Sequence, residues 1–371
     1  MRPTLFAFAT LSLCAQDERT FVESLARLER QDPAGEKDLA AGSPVRTAAM
    51  ALEPTRATER VRFAAASWLW AANLIQGFSH GKEQTYLQAA RGQADLLKAW
   101  SLLETVDGDL ARARDGLRLE LAWRLLDLDR LRAAYGALST RPALSVRELA
   151  HCFFASAHLG DWPGLKAHAR ALQAQGGRLE GLHAAAEGTL TMFDYASLLK
   201  AVDMGGPAPA PAPLSVRSHR ISKWRVRVGA VSGNDEALLK ASRDWPKGWV
   251  DRPEATTQLL QVGAAAHWVE GSGQPPVSGF LEAARLYLVG YRDSSGAKGE
   301  AGRQEQVWDL RPDPQQPGRW RGTHTVTARV AGADPAKGPA LQATFEVEWD
   351  MRTVEDYPEA RTAAPSPKPA P

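Results

Sequence analysis

Six consecutive residues, Gly77-Phe78-Ser79-His80-Gly81-Lys82, carry the densest match to catalytic patterns in the chain. Gly77 to Gly81 reads Gly-x-Ser-x-Gly, the elbow that lifts a nucleophilic serine at a sharp strand-to-helix turn. Ser79 to Lys82 also reads Ser-x-x-Lys, in which the lysine assists removal of the serine proton. Ser232-Gly233-Asn234 is a distant companion to the second pattern. Either chemistry depends on context. The elbow needs a strand before the serine, inside a parallel sheet, and an Ala-rich helical stretch precedes it here. The second pattern lacks its Lys-Thr-Gly partner. Both matches are read as coincidences, and no catalytic residue is assigned.

His151 and His158 are seven positions apart and share a helical face, with His168 on the next helix. A metal site needs a third ligand of the right type beside them. Cys152 points about 100° away from His151 on a helix and is read as a packed thiol. No metal and no cofactor is expected.

Twelve tryptophans is a high count, and their settings differ. Trp68, Trp100 and Trp123 sit on apolar helical faces and are read as core. Trp245 and Trp249 bracket a turn-rich segment, Trp245-Pro246-Lys247-Gly248-Trp249. With Trp268, if the fold brings it near, they form a candidate stacking platform for a sugar or a partner's apolar side chain. Covering of a sheet edge is the plainer alternative. Arg217, Arg220, Lys223, Arg225 and Arg227 form a basic strip. It suits an acidic partner surface, or an edge strand kept from aggregating by charge. The candidate contact residues are therefore Trp245, Trp249, Trp268, Arg225 and Arg227.

The chain has 371 residues, 24% charged and 44% hydrophobic, with a formal net charge of +2. That is a globular composition, long enough for two domains. No global field points to nucleic acid. There is no Gly-x-Gly-x-x-Gly, Walker loop, His-Glu-x-x-His or paired Cys-x-x-Cys.

The elements that must position these residues fall into two halves. From Glu18 to Val202 the apolar residues recur at helical spacing, among abundant Ala, Leu and Arg. The stretch Arg147 to Trp162 reads as helix, tight turn and next helix, with Pro163 in the new first turn. Leu149 and Leu182 lie 33 positions apart. The segment Ala157-His158-Leu159-Gly160-Asp161-Trp162 resembles the inter-helix turn of tetratricopeptide repeats, whose period is about 34 residues. Phe153 and Gly176-Gly177 depart from that family's pattern. The resemblance implies a superhelix over residues 16–204 with a concave surface that binds peptides or protein segments. A nonrepeating helical bundle is the other reading.

Gly205-Gly206-Pro207-Ala208-Pro209-Ala210-Pro211-Ala212-Pro213 separates the halves. Alternate prolines favour a polyproline II spacer, with a reach of roughly 20 Å. Beyond it the period becomes 2. Trp224–Val228, Gln258–Val262, Leu286–Val289, Gln306–Leu310, Trp320–Val330 and Phe345–Trp349 read as strands, with a short helix at Glu236–Ser242. The expected fold is multidomain α + β, with an antiparallel β-sandwich over residues 214–353 and a disordered Pro/Ala-rich tail over 354–371.

Residues 1–15 read as an export signal, with Arg2 ahead of a short apolar run. Leu11-Ser12-Leu13-Cys14 is similar to a bacterial lipobox, so plain export and a lipid anchor at Cys14 both stay open. No segment is long and apolar enough for a transmembrane helix. The build implies a periplasmic or secreted bacterial protein, a non-enzymatic scaffold with protein partners. A glycan-binding protein is the alternative.

Overall fold

The computed structural model describes residues 18–30, 32–40, 42–79, 94–177, 179, 194–210, 214–252, 257–269, 277–295, 301–330 and 338–357. The proposed signal, most of the tail, Leu182–Met192 and the turn Gly271–Gly273 lie outside these residues. The chain forms two compact units, residues 1–155 with 360–371 and residues 156–359. The division falls inside one helix, Val146–Leu159, so the Gly205–Pro213 stretch belongs to the second unit.

The first unit is helical. Residues 18–29, Pro33–Asp38, Pro44–Ala51, Glu59–Ser79, Ala94–Leu103, Ala111–Arg124 and Leu128–Ser139 are helices. The longest, Glu59–Ser79, packs chiefly on Ala94–Leu103, and Ala111–Arg124 packs on Leu128–Ser139. Trp68, Trp100 and Trp123 are buried, as their apolar faces predict. Trp68 Nε1 donates to Ser24 Oγ at 2.9 Å, which satisfies the one polar atom that burial of this ring strands. Arg62 closes the carbonyl ends of the loops by donating to Pro54, Ala57 and Thr105 carbonyl oxygens at 2.7, 3.0 and 2.8 Å.

The second unit is a barrel with helices on its wall. Its strands are β1 (Val216–Ser232), β2 (Val250–Arg252), β3 (Thr257–Val262), β4 (Ala265–Val269), β5 (Val277–Glu282), β6 (Arg285–Ser295), β7 (Ala301–Pro312), β8 (Arg319–Val330) and β9 (Leu341–Tyr357). From β3 to β9 each strand pairs antiparallel with the next. β1 pairs with β9 along one edge and with β3 along the other, which closes the barrel at eight strands. β2 is an extra strand on β1, opposite Trp224–Val226. β9 runs on to Tyr357, into the stretch expected to be tail.

This corrects the expected β-sandwich. A sandwich and a barrel both put alternate residues on a buried face, so period 2 does not separate them. The deciding feature is the length of β1 and β9, 17 residues each. Register shifts at Ser218/His219, Ile221/Lys223 and Val228/Ala230 bend β1. Bulges of this kind increase local twist and let a sheet meet its own edge. Closure also removes the exposed edges that a sandwich leaves.

The interior is packed with Leu259, Leu286, Leu288, Leu310, Val347 and a group of tryptophans. Outside, the helix Tyr195–Gly205 lies on β5 and β6. It starts at Asp194, whose carboxylate accepts from Ala196 and Ser197 N–H at 3.1 Å. It ends at Gly206 in the left-handed region, φ 55°.

Candidate functional site at the barrel mouth

One end of the barrel opens into a cavity of about 360 Å³. Its floor is Leu281, Met351 and Trp320; its walls carry Arg217, His219, Gln261, Glu282 and Thr353; its rim includes Trp162, Ala208 and Ala210. The size falls within the range of small-molecule sites, about 300–1,000 Å³. The residues come from the start of β1, the ends of β3, β5 and β9, and the start of β8. In an up-and-down barrel these all meet at one mouth.

The polar wall is ordered by a chain of hydrogen bonds. Gln261 Nε2 donates to the carbonyls of Gly263 at 3.2 Å and Leu281 at 3.4 Å. That leaves Gln261 Oε1 to accept from His219 Nε2 at 3.1 Å. His219 Nδ1 then accepts from the Thr353 hydroxyl at 3.1 Å. The chain fixes the imidazole tautomer and ring plane. Above the cavity, residues 207–210 cross the mouth as neither helix nor strand. Trp162 Nε1 donates to Ala208 O at 2.9 Å, and Ala208 N donates to Glu282 Oε1 at 2.6 Å. Trp162 is set for this by Asp161, which caps its helix by accepting from Gly164 N–H at 3.0 Å.

Below the mouth runs a column of aromatic rings. Trp224, Trp268 and Trp349 meet edge to face with centroids 5.2–6.0 Å apart. Trp308 lies 5.4 Å from Trp268 and stacks on His324. His324 meets Phe345, and Trp245 covers Phe345 at 5.5 Å toward the other end. The indole N–H groups of Trp224, Trp268, Trp308 and Trp349 are buried with no hydrogen-bond partner among the described residues.

The three candidate indoles thus occupy three settings. Trp268 is inside the barrel, Trp245 covers Phe345, and Trp249 lies outside with Arg225 and Arg227 4.8 and 5.1 Å from its ring centre. Both arginines are ion-paired across the sheet, Arg225 with Glu348 at 2.5 Å and Arg227 with Glu346. Arg321 meets Glu348 from the other side at 3.1 Å, and Arg319 meets Asp350 at 3.1 Å. Arg225 and Arg227 of the strip are therefore matched by acidic residues of β9, and Arg319 and Arg321 of β8 meet acidic residues of β9 from the other side.

Gly77, Phe78 and Ser79 lie in the helix Glu59–Ser79, so no strand precedes the serine; His80, Gly81 and Lys82 lie outside the described residues. Ser232 ends β1, in the second unit. His151 is buried with Nδ1 3.1 Å from Glu120 Oε1, and desolvation lowers its pKa despite that carboxylate. Cys152 is buried and free, and burial pushes its thiol up to about 12. Among the described residues no group of His, Cys, Asp and Glu is arranged to hold a metal ion.

A serine–histidine pair does exist, on the barrel wall. His267 Nδ1 is 2.9 Å from Ser278 Oγ, which accepts from Asp194 N at 3.0 Å. Nearby, His158 Nδ1 donates to Val262 O at 3.2 Å and its Nε2 accepts from Tyr195 Oη at 2.9 Å. Ser278 and His267 are both fully buried, beneath the helix Tyr195–Gly205. Burial holds His158 near a pKa of about 3 and His267 well below its ordinary value. A nucleophile there has no access to substrate, so the cluster acts as packing that locks helix to wall.

His219, Gln261, Glu282, Thr353 and Trp162 were not singled out as site residues by sequence. Gln261 offered a signal, a polar residue within the apolar run Leu259-Leu260-Gln261-Val262. A comparison with protein-family models finds no match for this chain, and a comparison with curated proteins finds none either.

Proposed function

We propose that this chain is a non-enzymatic binding protein whose barrel mouth takes a ligand, while the helical unit serves as an adaptor surface for a protein partner. The observation that carries the reading is the cavity at the mouth of a closed barrel, with polar walls held in fixed orientation above an apolar floor. Eight-stranded barrels have interiors just wide enough for side chains or one small ligand. Among the described residues the serine–histidine pair Ser278 and His267 is sealed. The apolar run over residues 1–15 supports export, and with it a role in a bacterial envelope or outside the cell. The tetratricopeptide-like turn supports the adaptor role.

The test uses anilinonaphthalene sulfonate, whose fluorescence rises in an apolar site. One molecule is expected to bind per chain, and Ala283→Phe, at an exposed turn on the cavity wall, is expected to weaken it at least about tenfold. Equal binding by both proteins would place the probe elsewhere and sink the reading.

A further inference from the structure

Ala208 is held at both its peptide groups: its N–H by the Glu282 carboxylate, its carbonyl by the Trp162 indole N–H. Behind Trp162 stands Phe280, 6.3 Å between centroids, and Phe280 stacks on Tyr287 at 5.7 Å and 12°. Two residues on, Ala210 presses on Gly160, where any side chain would collide with it. An indole N–H on a backbone carbonyl, beside a shelf of rings, is how aromatic-lined surfaces hold proline-rich chain. Such chain suits the role because alternate prolines keep it extended at low entropic cost. The segment seated here reads Pro207-Ala208-Pro209-Ala210, and the alternation continues in sequence to Pro213.

Ala208 and Ala210 are also the residues through which this segment borders the cavity. The Ala210 methyl is spent against Gly160, so Ala208 is the place where a larger apolar side chain could reach into the space of about 360 Å³.

We propose that the barrel mouth is a docking site for an extended, proline-alternating peptide with a bulky apolar residue at the position Ala208 holds, and that residues 207–210 occupy it in cis until such a peptide displaces them. This rests on the binding reading above and names its ligand. The tethered segment competes at a high effective concentration, on the order of millimolar for a short link. A bulky side chain in the cavity is what lets a free peptide win.

The experiment titrates the full chain with two capped peptides, Pro-Leu-Pro-Ala-Pro and Pro-Ala-Pro-Ala-Pro, by calorimetry. The leucine peptide is expected to bind at least about tenfold more tightly than the alanine peptide, from the extra apolar area. Pro207→Ser with Pro209→Ser loosens the cis segment and is expected to tighten leucine-peptide binding by about tenfold. In that loosened background Trp162→Phe removes the indole donor and is expected to weaken leucine-peptide binding about tenfold, because the cis segment no longer competes through the same contact; Glu282→Ala does the same from the other side, should Trp162→Phe fail to fold. Equal affinity for the two peptides, or leucine-peptide binding indifferent to Trp162 and Glu282 in the loosened background, would overturn the proposal. Binding of the anilinonaphthalene probe without either peptide would overturn this inference alone. Loss of both probe and peptide binding in the folded wild-type chain would remove the binding reading itself.

Discussion

Trp308 and His324 lie face to face inside the barrel, 4.2 Å between ring centroids and 6° between planes. They stand opposite each other on β7 and β8. Directly opposed residues on one face have the closest Cβ atoms of any cross-strand pair. The same logic places Trp320 beside Trp349, and Trp349 beside Trp224. Three indole-bearing strands thus meet at one level, because β1 returns to β9.

That closure can be tested at Trp349, which is fully buried and whose indole N–H has no partner among the described residues. Trp349→Ala should cost about 3–5 kcal/mol, the usual loss for a large core aromatic. Trp349→Phe should cost much less, because it keeps most of the apolar contact and removes a buried donor that has no acceptor. Urea unfolding of both variants checks the difference. Equal losses would mean that the N–H is satisfied in solution.

Stability of the second unit should depend on pH through His158 and His267. Both are neutral in the folded protein, with pKa values held below the ordinary 6.5, His158 near 3. The unfolded chain binds protons on both from about pH 6.5 downward. Between about pH 3 and 6.5 the unfolded state therefore holds more protons, so stability rises with pH there and is flat above. The slope is at most about 1.4 kcal/mol per pH unit for each histidine. Urea midpoints from pH 4 to 8 should show it, and His158→Gln should reduce it.

Gly160 has φ +67° and carries Ala210 against its Cα. Gly160→Ala should destabilise the second unit by about 1–3 kcal/mol, from backbone strain and the collision. Ala210→Gly in the same chain should restore only the part due to collision. Full recovery in a double-mutant cycle would show that strain contributes nothing.

Cys152 is buried, with its thiol pushed up to about 12 by desolvation. Reaction goes through the thiolate, so Cys152 in a Cys14→Ser chain should resist iodoacetamide at pH 8 for hours, and urea should make it react at once. Rapid native labelling of Cys152 in that chain would show that the helix opens locally.

Much of this molecule was legible in the residues themselves. Helix and strand periods are local, and they marked the change of period beyond Pro213, the helix Glu236–Ser242 and the burial of Trp68, Trp100 and Trp123. Asp161 and Gly160 announced a turn because a cap and a positive φ need those residue types. Tertiary structure alone decided the rest. Whether β1 meets only one neighbour or also β9 depends on bulges and register between residues more than a hundred positions apart, so barrel and sandwich look alike in sequence. His219, Gln261 and Thr353 become one chain of hydrogen bonds only when three strand ends reach the same mouth. Pro207–Ala210 reads as a free spacer until Trp162 and Glu282 are seen to hold it, because a polyproline segment carries no internal hydrogen bonds to reveal what it touches.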